Sequence, residues 1–187
     1  MYDCNVVITK PGIRIEPRDK DKPVYLLGNE GPVIKVEMAE RNHYVVIKRL
    51  LLAHSGLNLV KKFKTVQEQF VFEKATKANP KSIINFDINR NMDTVVLVRK
   101  GGLIMRNCLI SLRSLPKNLI QRVPSLVALP NTSVNIINCE FMGNEHNITS
   151  GCVFTHASDV VMSSTSFTNF KGGAIFSVAN SEQSTII

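Results

Sequence analysis

The 187-residue chain has no tryptophan and three tyrosines, and its few aromatic rings do not alternate with its basic residues. A platform that stacks bases of single-stranded nucleic acid needs that alternation, so none is indicated. The same scarcity weakens a groove built to stack sugar rings. No stretch reaches the ~20 consecutive apolar residues that a bilayer span requires. The opening MYDCNVVITKPG lacks the basic region and following hydrophobic run of a secretory signal, which points to a cytoplasmic or organellar protein, or to a piece whose targeting segment lies elsewhere. Four cysteines, Cys4, Cys108, Cys139 and Cys152, match neither a zinc spacing nor a compact disulfide framework. Nucleophile elbow, phosphate loop and metal motifs are all missing, and Gly172-Gly173 is not followed by Lys-Ser/Thr, so no cofactor is expected.

What the chain does have is apolar content spread along its whole length, 44% overall with a mean hydropathy of +0.03. That composition excludes a disordered polymer and suits one domain, residues 1–187, with a real core. Charge is distributed unevenly. Residues 1–40 carry six basic and seven acidic side chains, residues 41–124 sixteen and four (net +12), and residues 125–187 one and four (net −3). A basic middle suits nucleic acid, an acidic protein surface or anionic lipid, or is simply a solvated face. For nucleic acid the charge has no motif behind it.

A repeat decides the expected fold. Four segments place apolar or small residues at +0, +2, +5 and +7: Val45, Ile47, Leu50, Leu52; Leu103, Met105, Cys108, Ile110; Val134, Ile136, Cys139, Phe141; and Val160, Met162, Thr165, Phe167. Each two-residue step is strand alternation. The three-residue step marks a bend that keeps both short strands facing inward. Parallel pairing between successive coils would then stack equivalent side chains in ladders, each coil burying its neighbour's face. Cys108 and Cys139 share one repeat position and read as core residues rather than ligands. A further strand precedes each unit, with Ile34 and Val36, Val95 and Leu97, Leu126 and Ala128, and Cys152 and Phe154 as its apolar pairs. Asn138, Asn144 and Asn169 follow strands and suit corners, as do Gly151 and Gly172-Gly173. The interval from 45 to 103 holds either two coils or one coil with a large insertion.

The expected architecture is therefore all-β, a right-handed parallel β-helix solenoid with one inserted or flanking α-helix. Thr65 and Glu68 form a capping box, and Val66, Phe70, Val71, Ala75 and Ala78 have helical spacing before Pro80. These residues predict an amphipathic helix over 65–78. The stretch 111–125, with two prolines, reads as a loop.

The repeat resembles those of pectin-lyase-like parallel β-helix proteins. VVITKPGIRIEP, PVIKV and NHYVVIKRLLL are similar to the start of the carbohydrate-binding and sugar-hydrolase β-helix domain. FMGNEHNITSGCVF and FTNFKGGAIF resemble the F-x-x-N and G-G-A-I repeats of large surface-associated β-helix proteins. The resemblance implies the fold and leaves function open, because this fold carries lyases, hydrolases, adhesins and intracellular scaffolds. Hydrolase members use clustered carboxylates, yet residues 103–187 contain only Glu140, Glu145, Asp159 and Glu182. Asp87 and Asp93 with Arg90 and Arg99 read as a polar turn. His43, His54, His146 and His156 form no motif.

The expectation is a noncatalytic scaffold or docking subunit of a larger assembly. Its candidate docking patch is Lys61, Lys62, Lys64, Lys74, Lys77, Arg99, Lys100 and Arg106. The resemblance to intracellular scaffold members implies a cytoskeletal or ciliary setting, with an acidic partner such as tubulin. The alternative is an extracellular carbohydrate-binding or polysaccharide-cleaving protein, in which Asn131-Thr-Ser and Asn147-Ile-Thr would be glycosylation acceptors.

Overall fold

The computed structural model describes residues 2–3, 5–19, 21–29, 31–55, 94–113, 115, 123–144, 153–156, 158–170 and 174–178. These residues wind as coils, each adding one short strand to each of three parallel sheets. Sheet A contains β1 (Tyr2–Asp3), β4 (Val24–Gly28), β7 (Leu50–His54), β9 (Leu109–Ser111), β12 (Glu140–Met142) and β15 (Ser166–Thr168). Sheet B contains β2 (Val6–Ile8), β5 (Ile34–Glu37), the first part of β8 (Val96–Arg106), β10 (Leu126–Ala128), β13 (Val153–His156) and β16 (Ile175–Val178). Sheet C contains β3 (Arg14–Ile15), β6 (Tyr44–Lys48), the second part of β8, β11 (Thr132–Ile137) and β14 (Asp159–Ser163).

The repeat positions coincide with the strand register. Val45, Leu103, Val134 and Val160 are successive Cα partners in sheet C, as are Ile47, Met105, Ile136 and Met162. In sheet A the ladder is Leu26, Leu52, Ile110, Phe141 and Phe167. Phe141 is fully buried and stacks on Phe167, with ring centroids 5.2 Å apart. Such rungs, about 4.8 Å apart, place one apolar side chain over the next along the whole core.

The three-residue step is a left-handed corner. Arg49, Asn107, Asn138 and Ser164 have φ of 53°, 53°, 51° and 49° and occupy the same place in four successive coils. One such residue turns the chain from sheet C into sheet A and resets the alternation, so that Met105 and Cys108 both point inward. Each corner still pairs its backbone with the next coil: Arg49 N donates to Arg106 O at 3.0 Å, Asn107 N to Ile137 O at 3.1 Å, and Asn138 N to Ser163 O at 2.9 Å. Asparagine tolerates this conformation, and Asn138 Nδ2 donates to Asn107 Oδ1 at 2.9 Å, linking two corners. Asn169 follows the rule with φ 59°. Asn144 instead is buried and donates its Nδ2 to Leu115 O at 2.9 Å.

The expectation of a fold with an inserted or flanking α-helix is corrected: among the described residues the architecture is strands and turns, without a helix. The coils need none, because β5 and β6 pair directly with β8 and close the core on their own. The 65–78 segment lies outside the described residues. The same pairing decides the coil count. Val45 and Leu103 are adjacent rungs, so one coil step with an insertion separates them, not two coils. Within 111–125, Leu112, Leu115 and Val123 are buried in the main core, so the described ends of this segment line it. Among the described residues no helix is long and apolar enough to cross a membrane.

Sheet B differs from the expected phase at two places. Val96 and Val98 face the core with Leu126, Ala128 and Val153, whereas Leu97, Val127, Leu129 and Phe154 form a second buried cluster. From β8 to β13 both faces of this sheet are buried, so these strands read as unbroken apolar runs and alternation carries no phase.

Candidate docking surface

Charged side chains gather where sheet C turns into sheet A. Outward residues of successive coils stand beside each other here, so a basic residue at one repeat position meets the basic residue of the next coil. Lys48 and Arg106 are Cα partners. Arg14 and Arg49 converge on Glu16: Arg14 Nε lies 2.9 Å from one carboxylate oxygen and Arg49 Nη2 3.5 Å from the other. The Arg14 hydrogen bond, reinforced by the nearby charges of Arg14, Arg49 and Lys48, holds the Glu16 carboxyl below its ordinary pKa. Three cations thus surround one carboxylate, and Arg106 adjoins Lys48 in the next coil.

Beside this corner, the outer face of sheet A carries two adjoining hollows of about 370 and 390 Å³. Leu51 and Leu109 line both. The first hollow lies under the long turn before β4, with Lys22, Asp21, Arg49 and Asn107 on its walls. The second has an apolar floor of Leu27, Ala53 and Met142, with Tyr25 and Arg113 at its margins. Two-residue alternation points Leu51 and Ala53 to the same outer face.

The expected patch is only partly described. Lys61, Lys62, Lys64, Lys74 and Lys77 lie outside the described residues. Arg99 and Lys100 stand at the corner between sheets B and C, and Arg106 at the far end of β8, about 20 Å along the strand. Arg99 Nη1 lies 3.5 Å from Glu37, whose other oxygen binds Lys35 Nζ at 2.6 Å. Lys100 and Arg106 are exposed and form no ion pair with a described residue. Arg106 therefore joins Lys48 rather than Arg99. Arg14, Lys48 and Arg49 were not singled out from the sequence, although Lys48 and Arg106 share the +3 position of their repeats.

The remaining candidates are dispersed. Asp159 pairs with Arg41, and Glu140 stands alone on the outer row of sheet A. Asp87, Arg90, Asp93, Glu145, His146 and Glu182 lie outside the described residues. His43 is half-buried beside Glu40, and His54 is buried with Nε2 2.9 Å from Gly31 O. Cys108 and Cys139 occupy neighbouring rungs of the core, each 3% exposed. Their thiol–thiol hydrogen bond, then burial, holds the Cys108 thiol far above its ordinary pKa.

Compared with protein-family models, curated protein sequences and solved structures, the chain matches none.

Proposed function

We propose that this chain is a noncatalytic docking module of a larger assembly, built on a right-handed parallel β-helix of the pectin-lyase-like kind. Each turn joins parallel strands of one sheet, a connection that is right-handed in about 98% of cases. The reading is carried by one observation: Arg14, Lys48 and Arg49 gather around the carboxylate of Glu16, and Arg106 extends the group beside Lys48 in the next coil. A rigid stack of rungs holds these cations in place without first ordering a loop, which lowers the entropic cost of engaging an acidic partner. An acidic cytoskeletal surface such as that of tubulin has the matching charge.

The test is cross-linking mass spectrometry of the native protein in extract from its source, with and without Lys48→Glu/Arg106→Glu. Cross-links from Lys22 and Lys100 to one defined partner, lost in the double variant and reduced by salt, support docking. Partner contacts indifferent to the charge reversal sink it. A second reading, an extracellular carbohydrate-associated protein, is favoured by the exposed Asn131, which stands at a left-handed turn with φ 62°. A glycan on Asn131 in the native protein would select that reading.

A further inference from the structure

We infer that the groove on the outer face of sheet A seats an extended peptide segment that is apolar in its middle and acidic at its ends, laid along the strands. The inference rests on the docking reading and names the chemistry of the partner segment.

Three features converge on this occupant. First, β4, β7, β9 and β12 are each paired on both sides within sheet A, so their backbones offer no open edge for strand addition. An occupant must be held by its side chains. Second, the hollows lie on either side of Leu51 and Leu109, and the floor is aliphatic, from Leu27, Leu51, Ala53, Leu109 and Met142. Leu51 and Ala53 project two residues apart, about 7 Å, which matches side chains i and i+2 of an extended peptide parallel to them. Such a floor rewards apolar anchors, whereas a sugar needs a denser set of hydrogen-bonding groups. Third, the charge is complementary. Lys22 and Arg49 line the first hollow, Arg113 lines the second, and Asp21 is the single carboxylate lining either. Arg14, Lys48 and Arg106 extend the positive field past the first hollow. Acidic residues flanking apolar ones would meet cations at both ends and aliphatic surface between them.

The experiment measures fluorescence anisotropy of a labelled peptide of about ten residues with leucines in its middle and glutamates at both ends, against its lysine-for-glutamate counterpart. It uses the whole chain and its Leu51→Ser, Met142→Ser and Arg113→Ala variants. Val161→Ser, on the outer face of sheet C, serves as the control, and circular dichroism verifies the fold of each variant. The acidic peptide is expected to bind, and the basic one at least about tenfold more weakly. Each groove substitution should weaken binding by roughly fivefold or more, a loss of about 1 kcal/mol, while the control leaves it unchanged.

Binding that is lost in Lys48→Glu/Arg106→Glu but indifferent to the groove substitutions overturns the groove assignment and leaves the docking reading standing. An absence of peptide binding alongside charge-dependent partner cross-links does the same. A polyuronate oligosaccharide that binds more tightly than the peptide, with sensitivity to the groove substitutions, overturns the peptide assignment.

Discussion

Replacing Gly101 with alanine tests how β8 turns from sheet B into sheet C. Gly101 has φ +93°, and an added Cβ would lie 2.7 Å from Met38 Cε and 2.9 Å from Met38 Cβ. Two costs add. A non-glycine residue held in so sparsely populated a conformation costs roughly 1–3 kcal/mol. The thioether end can swing aside, but Met38 Cβ is fixed to the backbone and Met38 is 1% exposed. Overfilling such a site costs about 1–3 kcal/mol. The expected loss is therefore about 4 kcal/mol, or a fall in Tm of roughly 8–16 °C at 2–4 °C per kcal/mol. Gly102 supplies the comparison. A Cβ there would meet the Tyr44 ring at 2.5 Å, but its φ lies outside the left-handed region and Tyr44 is 38% exposed. The ring can leave, so Gly102→Ala should cost about 1 kcal/mol, the worth of one cross-strand contact. Urea unfolding of each alanine variant, alone and combined with Met38→Ala or Tyr44→Ala, separates the terms. Tyr44→Ala should erase the Gly102 effect, while Met38→Ala, which keeps the Met38 Cβ, should relieve only the Cε contact and leave most of the Gly101 loss, at least the roughly 1–3 kcal/mol of backbone strain. A Gly101→Ala loss below about 0.5 kcal/mol, the range of an ordinary surface substitution, or complete rescue by Met38→Ala, would refute the reasoning.

Three further outcomes are expected. Asn138→Val places a β-branched residue at φ 51° and breaks the hydrogen bond to Asn107, so the urea midpoint should fall by the equivalent of roughly 1–3 kcal/mol, and by less for Asn138→Gly. Cys108 should resist iodoacetamide at pH 8 in the folded protein and react only on unfolding, as read by peptide mapping, because its buried thiol stays protonated. The Lys35 hydrogen bond, opposed by partial desolvation and aided by the charges of Lys35, Arg99 and Lys100, lowers the pKa of Glu37 from 4.5. A depressed folded-state pKa means that this contribution is present above pH 4.5 and lost as pH falls through the lower folded value. Because the pair is partly solvent-screened, Glu37→Gln should remove no more than about 0.5 kcal/mol of acid-sensitive stability, measured by urea midpoints from pH 6 to pH 3.

The sheet C and sheet A strands of four coils were legible because each has one face in the core. Val45, Leu103, Val134 and Val160 could be aligned by eye, and the corner between +2 and +5 followed from the broken alternation. The coil before them was less visible. Ile15 pairs with Ile47 and Leu26 with Leu52, but a longer connection between Ile15 and Val24 replaces the single corner residue and hides the spacing. Sheet B concealed its phase for another reason. Leu97 and Phe154 are as apolar as the Val96 and Val153 that face the main core, and burial on both sides erases the two-residue signal.

For the candidate surface, basic composition in the middle of the chain was visible while its grouping was not. Arg99 and Lys100 adjoin in sequence with Arg106 close behind, yet an extended strand carries Arg106 away from them. The same rung geometry brings Lys48 beside it from 58 positions earlier. Sequence alone determined the repeat, its inward-facing rungs and the corner between two of its sheets, because local alternation and the tolerance of asparagine for left-handed backbone are properties of short segments. Tertiary structure decided that the 45–103 interval is one step of the winding, which face of sheet B meets the main core, and which cations share a corner, because each depends on the residue that parallel pairing places in the neighbouring coil.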